Sequence, residues 1–116
     1  MYLPIKTSDG GYKILEMNED VLYLQRDGGE GLSFHTFDEE YKALLRVEDW
    51  AHYLHPMGFL RIDRGTIVNL HKVKEFNHEL RVLVLKTSNG KVTLPVAEPM
   101  IKILLQELRG LGVERE

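Results

Sequence analysis

The stretch FLRIDRGTIVN, residues 59–69, decides how this chain is read. Phe59, Leu60, Ile62, Ile67 and Val68 form two short apolar runs, and Asp63-Arg64-Gly65 interrupts them. Strand side chains alternate between faces, so Leu60 and Ile62 should share one face and Arg61 the other. A charged break between two such runs predicts a strand, a tight connection and a second strand, with Arg64 at the tip. Gly65 beside it permits close approach of another chain segment. A guanidinium held on a rigid tip can donate to a phosphate or to a guanine edge. A solvated turn arginine fits the same local pattern.

Outward from this segment, strand signals dominate. They fall at residues 2–5 and 12–17, split by the turn cluster Ser8-Asp9-Gly10-Gly11, then at 21–24 and at the alternating run 32–37. Further runs lie at 73–77, 81–86 and 92–96, and Asn89-Gly90 between the last two is a hairpin signal. Residues 47–54 change period: Val47, Trp50, Ala51 and Leu54 line one face of a short helix with Glu48 and Asp49 in its first turn. A closing helix is predicted over 99–108, with Pro99 at its first position, Ile101, Leu104, Leu105 and Leu108 as its stripe, and Gly110 just past its end. The fold class is therefore mainly β, with one short middle helix and one C-terminal helix.

The 116 residues suit one domain, residues 1–116, and 43% hydrophobic with 28% charged residues is an ordinary globular balance. With Cys absent, disulfides, thiolate catalysis and Cys-based zinc sites are excluded together. No run reaches the roughly 18 apolar residues of a membrane span, and the N-terminus lacks signal-peptide features, so a cytoplasmic location is expected. Net charge is −3, but it is unevenly spread. Residues 1–59 hold five Lys/Arg against eleven Asp/Glu, residues 60–91 seven against three, and residues 92–116 three against four. A basic middle on an acidic frame can present one face to phosphate while the rest repels it.

Enzyme chemistry finds no footing. Among the five His, His52 and His55 lie three apart on the predicted helix, but no third ligand stands near, and both also read as partly exposed helix residues. The glycine-rich residues 27–31 lack the Lys-Ser/Thr and helix of a P-loop and read as a hairpin turn. No nucleophile elbow or paired-acid motif occurs, and no cofactor is implied.

FLRIDRGTIVNLHKVKEF, residues 59–76, resembles the central signature of LytTR-type DNA-binding domains, bacterial regulators of the form F-x-R-[IV]-H-R-S-x-[IV]-V-N-x-x-x-[IV]. Phe59, Arg61, Ile62, Arg64, Ile67, Val68, Asn69 and Val73 match. EDVLYLQRDG (19–28), VEDWAHYLHPMGF (47–59) and SNGKVTLPV (88–96) resemble flanking family elements, so the likeness spans about residues 1–108, with 109–116 as a tail. It implies an elongated arrangement of small antiparallel sheets that reaches DNA with loops rather than a recognition helix. By that resemblance Arg64 holds the middle-loop position with Arg61 and Gly65 beside it, residues 27–31 the first major-groove loop, and Val96-Ala97-Glu98 the second. Arg26, Lys72 and Lys74 complete the expected DNA-binding set. Four positions depart from the pattern: Asp63 replaces a His, Gly65 a Ser or Asn, and Ala97-Glu98 a basic pair. The first loop carries Asp27 and Glu30 with Arg26 to balance them.

The expected function is a stand-alone LytTR-type transcriptional regulator bound to double-stranded DNA. The alternative is a LytTR-like protein-interaction module whose DNA binding is weakened or lost. A homodimer or a partner regulator are the candidate protein partners; no membrane and no small-molecule substrate are expected.

Overall fold

The computed structural model describes residues 1–7, 9–28, 31–43 and 46–112. Strands β1 (Tyr2–Lys6) and β2 (Tyr12–Glu16) form a hairpin, and α1 (Met17–Asp20) is a single turn leading into β3 (Val21–Arg26). There follow β4 (Leu32–Thr36), β5 (Glu40–Ala43), α2 (Val47–Leu54), β6 (Phe59–Asp63) and β7 (Thr66–Asn69). The chain closes with β8 (Val73–Asn77), β9 (Val82–Thr87), β10 (Gly90–Pro95) and α3 (Ile101–Leu111). All pairings are antiparallel: a two-stranded sheet β1-β2, a five-stranded sheet β5-β4-β3-β7-β6 and a three-stranded sheet β10-β9-β8. The extents, 43 × 27 × 26 Å, make the molecule elongated.

The five-stranded sheet is the middle layer between two cores. On one face Tyr23, Leu60, Ile62 and Val68 pack against Phe76, Leu83, Leu85 and Leu94 of the three-stranded sheet and Leu104 and Leu108 of α3. On the other, Leu24, Phe34, Phe59 and Ile67 meet Val47, Trp50 and Leu54 of α2 and Ile5 and Leu15 of the first hairpin. The alternation expected in β6 holds, but both faces are covered, since Phe59 is as buried as Ile62. That explains why β3, β6 and β7 read as near-continuous apolar runs rather than half-polar strands.

Several boundaries differ from the sequence reading. Met17 begins α1 rather than ending a strand, because the Glu16 side chain caps Glu19 N. Strand β5 has too few apolar residues to show a pattern and exists through pairing with β4. The Ser88-Asn89 pair forms the hairpin tip, and Gly90 is already opposite Thr87. Gly110 lies inside α3; the helix ends at Gly112, whose φ of 74° is the left-handed cap geometry that glycine adopts without strain. Residue 8 of the first turn, residues 29 and 30 of the glycine-rich loop and residues 113–116 of the tail lie outside the described residues.

Candidate nucleic-acid interface

Antiparallel registry sends three connections to one end of the five-stranded sheet. Gln25 pairs with Thr66, so the end of β3 meets the β6–β7 turn; Leu32 pairs with Ala43, so the start of β4 and end of β5 lie there too. Two backbone hydrogen bonds join the loops: Arg26 N donates to Gly65 O at 2.9 Å, and Ala97 N donates to Ile62 O at 2.8 Å. The second brings the segment after β10, from the other sheet, against the β6–β7 turn. The first loop, the middle turn and the late loop expected from the resemblance are thereby neighbours.

The turn is braced from within. Asp63 Oδ1 accepts from Arg64 N at 2.7 Å. Arg61 Nε donates to Asp63 O at 3.3 Å, and Arg61 Nη2 donates to Arg64 O. Arg61 is thus spent largely on holding the turn in shape. Gly65 eases a close approach: a Cβ there would sit 3.1 Å from Arg26 Cγ and Cδ, so that side chain would have to give by a few tenths of an ångström. Arg64 itself is exposed, and among the described residues no ion pair engages its guanidinium. Its five N–H donors project from a rigid tip, the arrangement suited to phosphate or a base edge.

Around the tip, cations and carboxylates alternate. Glu48, at the start of α2, has carboxylate oxygens 3.9 Å from Arg26, 3.8 Å from Arg61 and 4.0 Å from Arg46. Arg46 also lies 3.7 Å from Asp49. Asp27 accepts from Lys42 Nζ, and that hydrogen bond, followed by the attraction of the two charges, holds the Lys42 ammonium pKa above its ordinary value. The balance in the first loop therefore differs from expectation: Lys42 answers Asp27, while Arg26 turns to Glu48. In the late loop Glu98 meets Arg81 Nη1 at 2.9 Å.

Two expected cations lie elsewhere. Lys72 follows Asn69, at the opposite end of β7 from the turn, and its Nζ is 3.9 Å from Glu19. Lys74 is exposed on the register shift that begins β8, where Val73 pairs with Leu85 at the end far from the late loop. Lys42, Arg46 and Arg81, absent from the expected set, stand at the loop end instead. Lys42 sits on an unread strand, Arg46 lies in a connection with no local signal, and Arg81, expected to begin a strand over 81–86, instead ends the turn before β9, which starts at Val82.

His55 Nε2 is 3.4 Å from Glu107 of α3, and His52 makes an edge contact with Tyr53. Among the described residues no cluster of three or more His, Asp or Glu could hold a metal, and no helix is long and apolar enough to cross a membrane.

A β scaffold that gathers cation-bearing loops at one end describes a loop-presenting binding domain. The chain belongs to the LytTr DNA-binding domain family, whose profile matches residues 12–109. The family is non-enzymatic and typical of bacterial regulators. Among solved structures, the fold is similar to the LytTr DNA-binding domain assigned to a methyl-accepting/DNA response regulator from Bacillus cereus. The TM-score is 0.74 at 19% identity, covering 92% of this chain and 95% of that one. No curated protein matches the chain.

Proposed function

We propose that this chain is a LytTR-type transcriptional regulator, acting in the cytoplasm, that binds duplex DNA through the loop end of its five-stranded sheet and needs no further domain to do so. The observation that carries this reading is the joining of three separate loops by the Arg26 N to Gly65 O and Ala97 N to Ile62 O hydrogen bonds, with Arg64 exposed between them. Arg64 is the central contact; Arg26 and Arg61 shape the turn and add positive potential beside it. Lys72 and Lys74, at the far end, contribute to net attraction rather than to the contact. Binding through phosphate neutralisation makes log affinity fall linearly with log salt. Selection of duplexes from a random pool at low salt tests the proposal: an enriched sequence supports it, and a pool unchanged after repeated rounds refutes it.

A second reading, a LytTR-like module that pairs with a regulator or sensory partner, is favoured by the carboxylates Glu48, Asp27 and Glu98 set against the loop cations. Retention of a protein partner with no duplex retained at any salt would select it.

A further inference from the structure

Where the family pattern has a basic pair after β10, this chain has Ala97 and Glu98, and a lone carboxylate there would repel DNA. The fold supplies a cation from elsewhere. Arg81 ends the turn between β8 and β9, and its φ of 56° is the only positive value at a non-glycine residue among those described. A bulky residue in the left-handed region is uncommon, and the surroundings must hold it there. Here Val96 N donates to Arg81 O at 3.0 Å, and Glu98 accepts from Arg81 Nη1 at 2.9 Å. The backbone and guanidinium of Arg81 are thus both tied to the late loop, whose Ala97 N is bonded to Ile62 O one residue before the central turn. One Nη1 contact leaves the rest of the guanidinium donor fork available, and the side chain is half exposed.

We propose that Arg81 is a DNA-contacting residue of the late loop and that Glu98 is its positioning residue, holding the fork toward the duplex. The proposal rests on the DNA-binding reading above and adds its late-loop cation. Simple charge counting expects removal of Glu98 to improve every duplex; a positioning role expects loss of discrimination.

The full chain is tested against the duplex selected above and a scrambled duplex across a salt series. Arg81→Gly removes the side chain where glycine accepts the backbone angle freely, and Arg81→Ala tests the same loss with a Cβ retained. Both should lower affinity for the selected duplex by roughly 10-fold and reduce the salt slope by about one. Glu98→Ala should bring the selected and scrambled affinities together by roughly 5- to 10-fold, while Glu98→Gln, which retains an acceptor oxygen, should preserve most of the discrimination. Circular dichroism confirms that each variant is folded. If the wild type selects a duplex and Arg81→Gly binds it with unchanged affinity and slope, this inference falls alone. If Glu98→Ala tightens both duplexes equally, the positioning role falls. If the wild type binds no duplex, the DNA reading fails and this inference with it.

Discussion

Asn69, the last residue of FLRIDRGTIVN, tests how much of that stretch specifies fold rather than contact. It is fully buried, its Nδ2 donates to Asn18 O and Val21 O at 2.9 Å each, and its Oδ1 accepts from His71 N at 3.1 Å. Three connections, α1 into β3, the end of β7, and the turn into β8, are pinned by one amide. Asn69→Ala removes three hydrogen bonds at about 1 kcal/mol each, the one to Val21 O fully buried, so the expected cost is about 3 kcal/mol. Water entering the vacated space pulls that toward about 2, and unmet carbonyls push it toward about 4. Against a total stability of roughly 5–15 kcal/mol this is large. With an m-value near 1.5 kcal/mol/M it moves the urea midpoint down by about 2 M. Asn69→Asp should be worse near neutral pH, because an oxygen then faces two carbonyl oxygens, and should recover partly on acidification. Equilibrium urea unfolding followed by Trp50 fluorescence measures both. Duplex binding by the folded Asn69→Ala protein should change little, since Asn69 lies at the opposite end of β7 from Arg64. A loss under about 1 kcal/mol, or weakened binding by fully folded protein, would show that Asn69 is not the buried pin of these three connections.

Other outcomes are expected. Arg64→Glu should lower duplex affinity by roughly 10- to 100-fold at low salt with no change in unfolding midpoint, read by fluorescence anisotropy; equal affinity would show that the tip does not touch DNA. Glu48→Gln frees Arg26, Arg46 and Arg61 from their shared carboxylate and should raise affinity by about 3- to 10-fold, a gain that shrinks as salt rises. Ser33 is fully buried and its hydroxyl has no hydrogen-bond partner among the described residues, so Ser33→Ala should stabilise the protein by about 1 kcal/mol in the same urea assay. His35 stacks on Tyr23 with ring centroids 4.3 Å apart, and burial lowers its pKa against the weaker opposing pull of Glu40. The folded state therefore resists protonation: stability should fall as pH drops through about 6.5, where the unfolded His takes its proton, and level off below the folded pKa. His35→Phe should flatten that part of the pH profile, and an unchanged profile would assign the dependence to other groups.

Local periodicity and turn chemistry carried most of the fold into the sequence. The helix at 47–54 was legible because Val47, Trp50 and Leu54 repeat at helical spacing, and the pair β6–β7 because Asp63-Arg64-Gly65 breaks two apolar runs. Strand β5 was not, since its pattern is weak and only pairing with β4 makes it a strand. Of the proposed interface, Arg26, Arg61, Arg64 and Gly65 were read from the sequence, but not the partners that hold them. A sequence shows which charges exist, but a salt bridge between Arg81 and Glu98, 17 residues apart, or the convergence of Arg26, Arg46 and Arg61 on Glu48, depends on strand registry and helix placement. Residues close in sequence can also be sent to opposite ends of a sheet, as β7 carries the chain from the turn at Arg64 to the far end at Lys72. What FLRIDRGTIVN determined by itself was the strand-turn-strand and its exposed arginine. Which cations stand beside that arginine, and which carboxylates hold them, was decided only when two cores closed on both faces of one sheet.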